Sequence, residues 1–146
     1  MQNVPQFGDP KGDFKDRPGS YAVIQNELGQ LLTVVVRERF HLPGGGIDND
    51  EDPEAAVRRE ILEETGYTVG PLEFVGQANQ FLQTKDIGPV NKLGQYFKAR
   101  ISNQAPIEPI ETDHELKWVT PDEFLTSTAH DFHKWAVGMV KTQEIA

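Results

Sequence analysis

Three glutamates, Glu60, Glu63 and Glu64, fall within the stretch "RREILEETG", Arg58 to Gly66. On a helix, positions i, i+3 and i+4 share one face. The three carboxylates therefore point the same way, with the small Ala56 one turn earlier, while Ala55, Ile61 and Leu62 lie on other sides and can pack. Like charges at i and i+4 destabilise a helix by roughly 0.2–0.5 kcal/mol per pair. Arg59 can lie beside Glu63, yet no residue of the helix neutralises all three. Spacing alone leaves two accounts, a solvated acidic face or a site for a hard divalent cation, which prefers carboxylate oxygens and substrate phosphates. The preceding "LPGGGIDND" adds weight to the second. Three successive glycines let backbone come close to a ligand, and the free N–H groups of the helix start that follows favour anions.

The elements that must hold these residues can be read from their borders. In "DPEAAVRREILEETG", Asp52 can cap the helix, Pro53 suits its first position and Gly66 its stop. The glycine stretch before it is expected to be a loop. "SYAVIQ", "NELGQ" and "LLTVVVRE" read as strand, turn and strand, with Asn26 and Gly29 making the turn. "LEFVGQA", "QYFKARI" and "LKWVT" read as three further strands. "TPDEFL" opens a helix with Thr120 and Glu123 spaced as a capping box. "TAHDFHKWAVGMVKTQ" reads as a last helix with Phe132, Trp135, Ala136 and Met139 on one side. The expectation is an irregular arm over residues 1–18 and one α+β domain over 19–146, a mixed sheet with helices packed on it.

Bulk properties narrow the functional classes. The 146-residue chain suits a single core-forming domain. Its longest strongly apolar run, Leu31 to Val36, cannot span a bilayer. The N-terminus has no apolar segment of the secretory kind. With no cysteine, neither disulfides nor thiol chemistry enter, and a cytoplasmic setting is expected. A formal net charge of −9 argues against sequence-independent nucleic-acid binding. Three other motifs fail. "DNDED" starts like a calcium loop, but its sixth position is Pro53 and its twelfth Arg59. No Gly-Lys-Ser/Thr triplet follows the glycines, and "GGGIDN" has Asn49 where a dinucleotide fingerprint needs its third glycine.

Loop and helix together resemble the Nudix box. Gly45, Glu51, then Arg59, Glu60, Ile61, Leu62, Glu63, Glu64, Thr65 and Gly66 stand at its fixed positions, and "LPGG" before them is typical of it. Tyr67 closes the box where an aliphatic residue is usual. The later "HELKWVTPDEF" also looks like the family. The resemblance implies the Nudix fold, an α/β/α sandwich with a mixed sheet. It also implies hydrolysis of a nucleoside diphosphate linked to another moiety, with Mg²⁺ or Mn²⁺. By motif position, Glu60, Glu63 and Glu64 are metal-ligand candidates, joined by the carbonyl of Gly45. Arg59 would orient a catalytic glutamate, and Glu51 would support the site. The base that takes a proton from water is Glu64 or, from the loop before a late strand, Glu115. Such a division of labour is chemically sensible, because metal ions neutralise phosphate oxygens and activate water while a carboxylate accepts its proton. The alternative is a nucleotide-binding module that has lost turnover, against which the intact Arg59, Glu60, Glu63 and Glu64 argue.

Outside the box the signals thin. Arg37 and Arg39 could grip phosphates or be solvated strand residues paired with acids. Phe40 and Phe81 could stack on a base, although aromatics beside strands more often join the core. His130 and His133, on the last helix, have no apparent third ligand, and a surface role is expected. "GQANQFLQTKD" carries neither the proline of nucleotide-sugar hydrolases nor the tyrosine of dinucleoside polyphosphate hydrolases. "LLTVVVRERF" shares only its first three residues with the coenzyme A signature. The expected partner is a compact small-molecule nucleotide. Many family members form homodimers, which admits that arrangement here.

Overall fold

"SYAVIQ" lacks polar–apolar alternation, the mark of a strand covered on both faces. The computed structural model of the chain, which describes residues 3–102, 106–109 and 113–145, shows what covers it. Strand β2 (Lys15–Gln25) sends Tyr21 and Val23 into one core and Ala22 and Ile24 into another. Helix α1 (Pro53–Thr65) closes the second core with Val57 and Ile61. Helices α2 (Pro121–Leu125) and α3 (Asp131–Ile145) close the first, with Phe124, Phe132, Ala136, Val137 and Val140. Helix, sheet and helices make an α/β/α sandwich, the expected architecture.

The remaining strands are β1 (Gln6–Phe7), β3 (Leu31–Val36), β4 (Arg39–His41), β5 (Gly44–Gly46), β6 (Glu73–Thr84), β7 (Gly88–Arg100) and β8 (Glu115–Val119). The sheet runs β1-β6-β7-β2-β3-β4, with β5 added on β2 and β8 on β3. It is mixed: β1 lies parallel to β6, and β2 parallel to β7 in unbroken register from Lys15↔Val90 to Gln25↔Arg100. All its other pairs are antiparallel. Among the described residues no helix is long and apolar enough to cross a membrane.

Several borders follow the sequence. Asp52 caps α1 by accepting from Ala55 N at 3.3 Å. Gly66 ends the helix in the left-handed region at φ 75°. Thr120 and Glu123 close both halves of their capping box. Asn26 Oδ1 accepts from Leu28 N and Gln30 N, and Gly29 turns at φ 76°.

Other expectations are corrected. The arm over 1–18 is not irregular throughout, because Gln6–Phe7 joins β6 and β2 begins at Lys15, where β7 supplies backbone partners. The glycine stretch is not all loop. Gly44–Gly46 is extended and paired with Gly19–Tyr21. Strands β6 and β7 outrun the segments read for them and form one long hairpin, because ladder partners decide strand length where polar residues give no apolar signal. The last helix starts at Asp131, so His130 precedes it and its carbonyl accepts from His133 N and Lys134 N. Ala55, read as able to pack, is exposed, and Met139, read on one side with Phe132 and Ala136, is 38% exposed.

Candidate active site

Helix α1 presents its acids beside β5, and a short chain of contacts fixes the two elements together. The buried Ser20 of β2 donates through Oγ to the carbonyl of Pro53 at 2.8 Å, pinning the start of the helix to the sheet. Gly44 N donates to Glu64 Oε1 at 2.8 Å, pinning its other end. Gly44 has φ 145°, and a Cβ there would sit 2.2 Å from the carbonyl oxygen of Ser20, so only glycine fits. At Gly45 a Cβ would lie 2.7 Å from Cδ of Glu60. The strand therefore meets the acidic helix backbone to carboxylate, with no side chain between.

Arg59 organises the acids around itself. Its Nε and Nη2 take both oxygens of Glu51 at 2.8 and 2.9 Å, a two-bond grip that a lysine cannot copy. Nη1 reaches Glu60 at 3.0 Å and Glu63 at 3.4 Å, and Nη2 also donates to Gly46 O at 3.2 Å and approaches Asp48 at 3.4 Å. The hydrogen bonds it donates to Glu51 foremost, and then to Glu60, hold the guanidinium more firmly protonated than usual. In return the Arg59 hydrogen bond, with Asp48 N–H behind it, lowers the Glu51 carboxyl to about 2. The expected Arg59–Glu63 pairing is present, and Glu51 is the stronger partner.

A cleft of about 360 Å³ opens where these parts meet the α3 side of the sheet. Glu64 and Gly44–Gly46 line one end, with Tyr21, His41, Lys92 and His133 among the other walls. Burial dominates the protonation of this lining. It pushes His41 down to about 4 and His133 well below the usual range, and it raises the Tyr21 phenol with help from Glu64 and Glu60. His130, outside the lining with its ring 6.5 Å from that of His41, is likewise lowered to about 4 by burial, and Lys92 adds to the shift of all three imidazoles. His133 is the clearest departure from expectation. It is 2% exposed, not on the surface, and its Nδ1 shares a 2.8 Å hydrogen bond with the Tyr96 hydroxyl. A larger hollow of about 440 Å³, near Gly70 and Lys98, contains none of the box acids.

The other residues singled out in the sequence lie elsewhere. Glu115, opposite Val35 in β8, lines a separate hollow with Arg37, Glu38, Phe40 and Lys117. Arg37 and Glu38 form the left-handed turn between β3 and β4, with φ 49° and 69°. Arg39 Nη1 donates to Thr128 O at 2.7 Å. Phe40 packs partly on the core beneath Lys117, and Phe81 meets Phe14 edge-on at 4.9 Å.

Sequence reading missed His114. Its side chain is 4% exposed and its Nε2 donates to the main-chain carbonyl of Glu64 at 2.7 Å, bracing the end of α1 from the loop before β8. It also missed Tyr21, His41 and Lys92. For Tyr21 a signal existed, since Arg17, Gly19 and Tyr21 alternate along one face of β2. For His41 and Lys92 only the fold supplies it.

Among the described residues no three His, Asp or Glu side chains converge in a cluster that could hold a metal ion. The donor chemistry nonetheless fits a hard cation. Glu60 lies against Gly45, Glu64 accepts from Gly44 N and Glu63 shares Arg59 with Glu60, all oxygen donors, and the missing side chain at Gly45 keeps the approach to Glu60 open.

Comparison with known proteins agrees with this geometry. A family model described as the NUDIX domain matches residues 15–141. A Bacillus subtilis (strain 168) protein whose name gives a provisional 8-oxo-dGTP diphosphatase activity is 34% identical over 107 residues, 70% of this chain and 66% of the relative. An RNA pyrophosphohydrolase of Acidiphilium cryptum (strain JF-5) is 34% identical over 100 residues, 66% of this chain and 55% of that protein. The chain thus spans less than two thirds of the length of these relatives. In fold it is similar to a MutT protein from Methanosarcina mazei Go1, with a TM-score of 0.71 at 22% identity over 93% of this chain and 100% of that one. It is similar also to a MutT NUDIX hydrolase from Burkholderia pseudomallei, with a TM-score of 0.70 at 25% identity over 86% and 98%. A family match over most of the chain, and an acidic helix fixed on its glycine strand, lead to one conclusion: the chain belongs to the Nudix family.

Proposed function

We propose that the cleft hydrolyses a phosphoanhydride bond in a nucleoside diphosphate linked to another moiety, with Mg²⁺ or Mn²⁺ as cofactor. The observation that carries this reading is the placement of Glu64, fixed by Gly44 N–H in the lining of a cleft that also presents Arg17, Lys92 and Tyr21. Glu60, Glu63 and Glu64, with the Gly45 carbonyl, would hold the cation. When bound, it neutralises phosphate oxygens and makes water a better nucleophile. Arg59 positions Glu60 and Glu63, and Glu51 holds Arg59 in place. Glu64 accepts the proton of the attacking water. Glu115 is the weaker candidate for that role because it lines a different hollow.

The relatives' names bracket the substrate between a free nucleotide and an RNA. Net charge −9 favours the free nucleotide, since an RNA chain brings many more phosphates toward an acidic surface. A second reading, a nucleotide-binding module without turnover, draws on one observation: Glu60 and Glu63 are engaged by Arg59, and no cation-ready cluster is formed among the described residues. Purified protein with Mg²⁺ and a panel of nucleoside triphosphates and nucleoside diphosphate derivatives, with phosphate products quantified, separates the two. Turnover of at least one compound is expected. Tight metal-free nucleotide binding with no turnover of any would overturn the hydrolytic reading in favour of the second.

A further inference from the structure

Two cations from neighbouring strands line the cleft, and among the described residues neither has an acidic partner. Arg17 of β2 and Lys92 of β7 are register partners in the parallel pairing, so their side chains leave the same face of neighbouring strands, and both line the cleft that holds Glu64. Neither forms an ion pair among the described residues, although the chain has 23 acids against 14 lysines and arginines. The groups around Lys92 are imidazoles, those of His41, His130 and His133, which stay neutral at neutral pH and compensate nothing. Burial also pulls the Lys92 ammonium below its usual range. A largely buried ammonium with no acid beside it is unfavourable as it stands, and an anion bound there relieves it.

The same register leads from the two cations toward the acidic end of the cleft. Next along the same face come Gly19 and Gly94, then Tyr21 and Tyr96, whose rings stack at 5.4 Å. The two glycines make room for the aromatic rings that follow: an added Cβ would meet the Tyr21 hydroxyl at 2.9 Å over Gly19 and the Tyr96 ring at 2.9 Å over Gly94. Tyr21 pairs with Gly44, whose N–H holds Glu64. About 13 Å of strand, four residues at ~3.3 Å each, separates Arg17 from Tyr21, so a polyphosphate can touch the cation pair and the acidic end of the cleft together.

We propose that Arg17 and Lys92 form an anion grip that holds a phosphate of the substrate beyond the one at the acidic end of the cleft. The identity of the occupant rests on the hydrolytic reading above; the grip itself does not. Calorimetric titration of the metal-free protein with inorganic pyrophosphate tests it directly. Binding is expected in the wild type, with Arg17→Gln and Lys92→Gln each weakening it at least tenfold. Lys92→Arg should retain it, and so should Lys98→Gln, a cation paired instead with Glu73. Arg17 is exposed, so its variant carries the test if Lys92→Gln does not fold. With a nucleotide that is turned over, both Gln variants should raise KM at least tenfold while kcat falls less than threefold. Pyrophosphate affinity that is absent in the wild type, or undiminished in the Gln variants, overturns the grip. Pyrophosphate binding that depends on the pair, in a protein that turns over no nucleotide, supports the grip and removes the hydrolytic reading.

Discussion

Arg59 shows how one side chain can set the geometry of several. It satisfies both oxygens of Glu51 and reaches Glu60 and Glu63, so a cation that draws on those two acids competes with the guanidinium for them. Arg59→Lys keeps the charge but loses the two-bond contact. We expect turnover in that variant to fall roughly tenfold or more, with stability changed less than activity, as compared by steady-state rates and thermal melts. Glu64→Gln keeps shape and hydrogen-bonding capacity but removes the acceptor for a proton. Turnover should drop at least ~100-fold; wild-type-like rates in that variant would remove Glu64 from the site. At Gly45 the argument is spatial. A methyl group there meets the Glu60 carboxylate at 2.7–2.9 Å, so Gly45→Ala should reduce activity while the protein remains folded, because the flexible end of Glu60 can move aside.

At the scale of elements, α1 is held at both ends by features that single substitutions can remove. Gly66 stands at φ 75°, and a Cβ there would lie 1.9 Å from Ile107 O. Gly66→Ala should destabilise by more than the ~1 kcal/mol typical of a strained left-handed position, measurable by urea denaturation. Asp52→Ala should cost about 1 kcal/mol through the lost cap. These borders were legible in the sequence because capping and stopping are local acts, written in Asp52, Pro53 and Gly66 themselves. The same holds for the acidic face, since Glu60, Glu63 and Glu64 need only helical spacing to converge. The strand made by Gly44–Gly46 was not legible. Three glycines have no strand propensity, and their extended form comes from Gly19–Tyr21, more than twenty residues away in the chain. His133 was misread for a related reason. A histidine on a helix looks like a surface residue until Tyr96, from β7, supplies the partner that lets it be buried.

The whole molecule carries the pH dependence. His41 and His130 sit at about 4 in the folded chain against 6.5 when free. Between those values the unfolded chain binds protons that the folded chain refuses, so stability falls as pH drops from about 6.5 toward 4. Glu51 acts in the same direction further down. Held at about 2 against a free value of 4.5, it contributes fully above 4.5, and that contribution is lost as pH falls through 2. Thermal melts should give a lower Tm at pH 5 than at pH 7.5, and His130→Asn should shrink the difference. An equal Tm at the two values would contradict the burial of these imidazoles.

The parallel pairing of β2 with β7 has a consequence in time. Register partners such as Arg17 and Lys92 lie 75 positions apart in the chain. At synthesis rates of about 5–20 residues per second, β2 leaves the ribosome roughly 4–15 seconds before its neighbour exists. For that interval the central strand, with its run of buried apolar residues, has an open edge of the kind that recruits wrong partners. The cleft beside Glu64 is therefore among the last features to form, and a chain interrupted before residue 90 would carry the complete box on a sheet without its middle.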